Sequence, residues 1–155
     1  MTRLIALLVI LLVGGARAGS AQDVLPTVVV LATGGTIASQ YDPVTGALKP
    51  ALTGEEIVAA VPGLGEVANV VVEQVANVGS KDMTPAIWVT LASRANELLV
   101  QDHVAGVIIT HGTDTLEETA YFMDLTVTSP KPVIVVGAQR APTFFDTDGP
   151  RNLLN

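Results

Sequence analysis

The sequence predicts an α/β fold, a layered and mostly parallel sheet with helices on both faces, in one domain over residues 22–155. Two observations carry this expectation. The apolar runs Thr27–Ala32, Val104–Ile109 and Pro132–Val136 are continuous and rich in valine and isoleucine rather than alternating, as strands covered on both faces require. Between them lie stretches with helix-start signals and 3.6-residue apolar spacing, and helices placed between apolar strands imply parallel pairing through crossovers. The composition agrees. Of 155 residues 49% are hydrophobic and 15% charged, which is too apolar for a disordered chain.

Charge and cysteine content remove several function classes. Lys and Arg number 8 against 15 Asp and Glu, a formal charge of −7, so a phosphate backbone has little to gain here and nucleic acid is not an expected partner. The sequence has no cysteine, which removes thiol catalysis, disulfides and thiolate-held metals.

Residues 1–21 are set apart from the domain. Arg3 precedes the uncharged run Leu4–Val13, Gly14-Gly15 breaks it, and Ala16-Arg17-Ala18 places small residues at alternate positions. This is the layout of a cleavable secretory signal peptide. Read instead as a membrane anchor, ten residues rise only about 15 Å, half of a bilayer core. Cleavage is expected after Ala18, or failing that after Ala21. The mature chain then carries −9, since Arg3 and Arg17 are both lost, and is exported to a periplasm or the medium, free of the membrane.

The elements follow in order. Thr27–Ala32 is a strand bounded by Pro26 and Gly34-Gly35. Thr53-Gly54-Glu55-Glu56 has the spacing of a capping box and opens a helix that Pro62 stops. Val67–Val78 reads as one or two strands. Thr84 caps a helix with Pro85 at its first position, and Ile87, Trp88, Leu91, Ala92, Ala95, Leu98 and Leu99 form one apolar stripe along it. Val104–Ile109, Leu116–Leu125 and Pro132–Val136 continue the alternation. Asp148-Gly149-Pro150 opens a last helix that reaches only about one turn by Asn155, too short to nucleate alone, so further chain is expected to follow.

Ligands of parallel sheets bind beyond the carboxyl ends of strands. Three such ends carry polar clusters: Thr33-Gly34-Gly35-Thr36, Thr110-His111-Gly112-Thr113-Asp114-Thr115, and Gly137-Ala138-Gln139-Arg140. A fourth polar segment, Gly79-Ser80-Lys81-Asp82-Met83, precedes the Thr84 helix. Paired glycines let backbone N–H groups approach a ligand, and the hydroxyl after them projects into the cavity. A tight turn with Thr36 as a helix cap explains the first cluster equally simply. In the second, a hydroxyl beside a carboxylate can activate a nucleophile, while Asp114 can hold an ammonium group. Capping by Thr113 or Asp114, with Glu117 as reciprocal partner, accounts for the same residues. His111 reads as a packed, hydrogen-bonded histidine, His103 as a surface residue and Trp88 as core. No histidine and carboxylate spacing suits a metal, the dinucleotide and Walker patterns are absent, and no cofactor is expected. No lysine or tyrosine base stands inside these motifs.

At these residues the sequence resembles the N-terminal part of the bacterial type II L-asparaginases. Leu31–Ala38 is similar to the family's first signature and Ile109–Tyr121 to its second; Val136–Arg140 and Asp148–Leu153 resemble later segments. The resemblance implies hydrolysis of asparagine, with some glutamine turnover, to the acid and ammonia. It gives Thr36 the role of nucleophile through an acyl-enzyme, makes Thr113 a second catalytic hydroxyl, and sets Asp114 against the substrate α-ammonium. It places Ser80 at the α-carboxylate and the Ala138 carbonyl in the pocket wall, with Gly35, Lys81 and Gly112 also lining the substrate. A backbone N–H near Thr113 would serve the oxyanion, worth about 3–4 kcal/mol of barrier. Tyr41 is the candidate base, although it follows Thr36 by only five residues on a short loop. Lys81 departs from the family pattern and adds a positive charge near the substrate. The lysine that partners the second threonine, the C-terminal domain and an acidic residue from a neighbouring subunit of a homotetramer all fall after Asn155. These 155 residues alone are therefore expected to be inactive. An exported amino-acid-binding protein and an inactive fragment of the enzyme are the alternatives.

Overall fold

The computed structural model describes residues 24–155. The expected export segment, with Ala18 and Ala21, lies outside the described residues. Strand β1 (Thr27–Gly34) leads through a 3-10 turn at Thr36–Ala38 into a short antiparallel hairpin, β2 (Ser39–Tyr41) and β3 (Leu48–Pro50). Helices α1 (Gly54–Ala59) and α2 (Leu64–Val67) bring the chain to β4 (Asn69–Val78). A second 3-10 turn, Ser80–Asp82, precedes α3 (Pro85–Leu99), and then β5 (Val104–Thr110), α4 (Leu116–Thr126), β6 (Val133–Val136) and α5 (Gly149–Leu154) complete the order.

Four strands form one parallel sheet in the order β4-β1-β5-β6, as the continuous apolar runs imply. Val28 stands between Val70 of β4 and Gly106 of β5, and Val107 pairs with Val133. The valine-rich stretch from 67 to 78 is one strand: Val67 ends the helical turn of α2, and pairing starts at Asn69, whose N–H donates to the Pro26 carbonyl at 2.8 Å. The β2–β3 hairpin has no counterpart in the expected elements, because three-residue strands of mixed polarity carry no readable period.

Helices cover both faces. Val29, Leu31, Val107 and Ile109 point to one side and pack against Leu91, Ala95 and Leu99 of α3 and Met123 of α4. Ile37, Ile57, Val61, Leu64, Ala138 and Leu153 form a second core on the opposite face. Burying each Val, Leu, Ile or Met side chain among these stabilises the fold by roughly 1.5–3 kcal/mol. A two-pronged ion pair ties α3 to the edge strand, with Arg94 Nε and Nη2 donating to the Glu73 carboxylate at 2.7 and 2.8 Å. The helix starts match their signals. Thr53 and Glu56 close a capping box, and Thr84 accepts the Ile87 N–H with Pro85 at the first position.

Candidate active site

At the carboxyl end of β1 the chain leaves a buried strand and must turn at once. Gly35 makes the turn at φ 80° and ψ −172°, a conformation that a β-carbon disfavours. A Cβ there would also fall on the Gly112 backbone. Gly112 is crowded from its own side, where a Cβ would come 2.5 Å from Ser80 Oγ and 3.1 Å from the Gly35 Cα. Segments from the ends of β1, β5 and β4 thus meet, backbone against backbone, at one junction. Thr36 and Thr113 each follow one of its glycines and are half-buried.

Ser80 bolts the junction together. Its Oγ accepts the Asp114 N–H at 3.0 Å, and its carbonyl accepts the Thr115 hydroxyl at 2.8 Å. Ser80 is buried, and after accepting one bond its hydroxyl still has a hydrogen to donate. The Asp114 residue is exposed beside it. The exposed Lys81 ammonium sits 3.1 Å from both oxygens of its neighbour Asp82.

The segment after β6 closes another side. A Cβ on Gly137 would lie 3.1 Å from the His111 carbonyl oxygen and 3.6 Å from Thr113 Cγ2, and Ala138 beside it is buried. Asp148 holds this segment in place. Its carboxylate accepts the N–H groups of Gln139 at 3.0 Å and Arg140 at 2.8 Å, while the Asn152 amide donates to Asp148 and to the Gly137 carbonyl. Burial opposes the charge on Asp148, but these donors prevail and hold its carboxyl below the ordinary range.

Tyr41 is not among the residues at the junction. It lies on β2, 54% exposed, with its ring edge-on to Phe144 at 6.3 Å between centroids. Neither capping alternative is found. Thr36 opens a 3-10 turn with no side-chain cap bond, and α4 starts from Thr115 rather than Thr113 or Asp114, again with no side-chain cap. The reason is competition: the Thr115 hydroxyl and the Asp114 N–H are both committed to Ser80.

His111 is packed, as the sequence suggested, and buried among polar partners. Nδ1 lies 2.7 Å from the Gly112 carbonyl oxygen and Nε2 lies 2.8 Å from Thr119 Oγ1. Burial lowers its proton affinity below that of a free histidine, against the pull of the Gly112 carbonyl. Trp88 does more than fill core. Stacked on Phe122, it donates from Nε1 to Thr119 Oγ1 at 2.7 Å. His103 is exposed.

Residues 27–155 match the family model described as Asparaginase, N-terminal. The chain belongs to the asparaginase family. It is 49% identical over 146 residues to the L-asparaginase 2 of Bacillus subtilis, covering 92% of this chain and 39% of the relative. It is 46% identical to a probable periplasmic L-asparaginase of Haemophilus influenzae, covering 91% of this chain and 40% of the relative. The crystal structure of a probable cytoplasmic L-asparaginase from Campylobacter jejuni superposes with a TM-score of 0.73 at 42% identity, over 83% of this chain and 37% of that one. The chain therefore spans about two fifths of the length of these asparaginases. Among the described residues the match takes in both glycine-threonine loops of the junction.

Proposed function

We propose that this chain supplies the nucleophile and the substrate-binding loops of an L-asparagine amidohydrolase. The observation that carries the reading is the backbone junction of Gly35 with Gly112, which sends Thr36 and Thr113 out from neighbouring strand ends. Thr36 Oγ1 attacks the side-chain amide carbon, ammonia leaves, and water releases aspartate from the threonine ester. The carbonyl oxygen takes up negative charge as the carbon becomes tetrahedral, and the Thr113 N–H is the donor suited to it. Asp114 pairs with the substrate α-ammonium, and the spare hydrogen of Ser80 serves the α-carboxylate. The Ala138 carbonyl completes the wall. Gly35 and Gly112, having no side chain, let the two loops close on each other and line the substrate with main chain. Tyr41 stays the candidate base, on a hairpin that would have to bring it inward. No cofactor takes part.

The chain spans about two fifths of the length of these relatives, and the partner lysine and intersubunit acidic residue that the resemblance implies have no counterpart within it, so the 155 residues alone should release no ammonia. In an exported enzyme the segment 1–21 is the cleaved signal, which agrees with the periplasmic name of one relative. The test joins residues 27–155 to the C-terminal part of the Bacillus subtilis relative and follows ammonia release from L-asparagine. Turnover is expected, and Thr36→Ala should lower it by roughly 10³-fold or more while the fusion stays folded. A folded fusion without turnover, or one indifferent to Thr36→Ala, overturns the reading. Release by the 155-residue chain alone overturns the need for further chain.

A further inference from the structure

The polar chain behind the junction has a fixed direction. Trp88 Nε1–H can only donate, so Thr119 Oγ1 accepts from it at 2.7 Å. At the other end the Gly112 carbonyl can only accept, so His111 Nδ1, 2.7 Å away, must carry the hydrogen. In a neutral ring Nε2 is then bare, and the Thr119 hydroxyl donates to it across 2.8 Å. The order of donation runs Trp88 to Thr119 to His111 to Gly112: the Gly112 carbonyl fixes the histidine tautomer, and the Thr119 hydroxyl suits it by accepting from the indole while donating to Nε2. Thr119 and His111 are fully buried, so water offers no alternative partner.

The last bond has a consequence at the cleft. No peptide bond is cis among the described residues, and in a planar trans peptide the carbonyl and the following N–H point opposite ways. Holding the Gly112 carbonyl toward the buried ring turns the Thr113 N–H away from it. Among the described residues that N–H has no hydrogen-bond partner, whereas the next one, of Asp114, is taken by Ser80.

We propose that Thr119, backed by Trp88 and acting through the Nδ1–H tautomer of His111, is a positioning residue that keeps the Thr113 N–H aimed out as a ready-made anion donor. The inference rests on the hydrolase reading for what the donor serves, but the tautomer and the peptide orientation can be measured without turnover.

The experiment is nuclear magnetic resonance on the 155-residue chain, labelled with nitrogen-15. In the parent at neutral pH, His111 should show a protonated Nδ1 and a bare Nε2. Thr119→Val keeps the volume and removes the hydroxyl; it should shift and broaden the amide signals of Gly112, Thr113 and Asp114. Thr119→Ser, which restores the hydroxyl, should return them to the parent positions. A merely space-filling threonine predicts the reverse ranking, with valine the better mimic. Should Thr119→Val fail to fold, Trp88→Phe keeps the stacked ring, removes the first donor and should broaden the same three signals. A protonated Nε2 in the parent, or amide signals that ignore both variants, overturns the proposal. Loss of the hydrolase reading would leave these results untouched, and their failure would leave that reading untouched.

Discussion

Ser80 Oγ accepts the backbone N–H of Asp114 across 3.0 Å, joining residues 34 apart in sequence. One buried hydroxyl thereby locks the turn after β4 to the loop after β5, and with it the residues flanking Thr113.

Ser80→Ala should lower stability by about 1–2 kcal/mol, since the Asp114 N–H loses its acceptor in a half-closed site. Urea denaturation of the variant against the parent measures this. An unchanged midpoint would show that the bolt contributes nothing.

Gly35→Ala should be far more damaging, by about 3 kcal/mol or more, because a β-carbon meets both an unfavourable φ and the Gly112 backbone. Gly112→Ala collides first with Ser80, 2.5 Å from the new atom. Adding Ser80→Gly to Gly112→Ala should therefore recover part of the loss, a coupling that a double-mutant cycle reads directly. Strict additivity would count against the close approach of Gly112 to the Ser80 side chain.

Thr110→Val should leave stability unchanged or raise it by about 1–2 kcal/mol. The Thr110 hydroxyl is the one buried side-chain polar atom among the described residues with no hydrogen-bond partner, and valine has nearly its shape. A marked loss in thermal unfolding would mean that this hydroxyl has a partner in solution.

Acid should weaken the fold in two windows. His111 binds its proton less readily when folded than when unfolded, so its contribution is complete above the ordinary histidine value of 6.5 and declines as the pH falls below it. Asp148 is held below the ordinary carboxyl value of 3.8, so its contribution persists to lower pH and disappears as the pH falls through its folded value. Urea midpoints against pH should therefore fall in both windows. Asp148→Asn should flatten only the lower one, and equal slopes in parent and variant there would remove Asp148 from the account.

The parts legible in the sequence were those with a local pattern. The valine and isoleucine runs of β1 and β5 show burial on both faces without reference to anything distant, and the capping box at Thr53 lies within four residues. The glycine-threonine loops were equally plain. What escaped was contact between distant segments. Trp88 and Thr119 are 31 residues apart, and neither the apolar stripe of α3 nor the pattern of α4 records that an indole donates to a buried hydroxyl. The Thr113 and Asp114 caps were wrong for the same reason, because the competing partner, Ser80, sits on another loop. The Asp148 and Asn152 clasp joins Gly137 to a helix start through a carboxylate that looked like an ordinary helix opener.

What holds Thr36 and Thr113 in place is main chain, assisted by a serine, and not their own hydroxyl groups. Chemistry and scaffold are for that reason inherited separately. On the proposed reading, either hydroxyl could be exchanged over evolutionary time, altering or silencing the reaction, while the folded body that presents it survives the change.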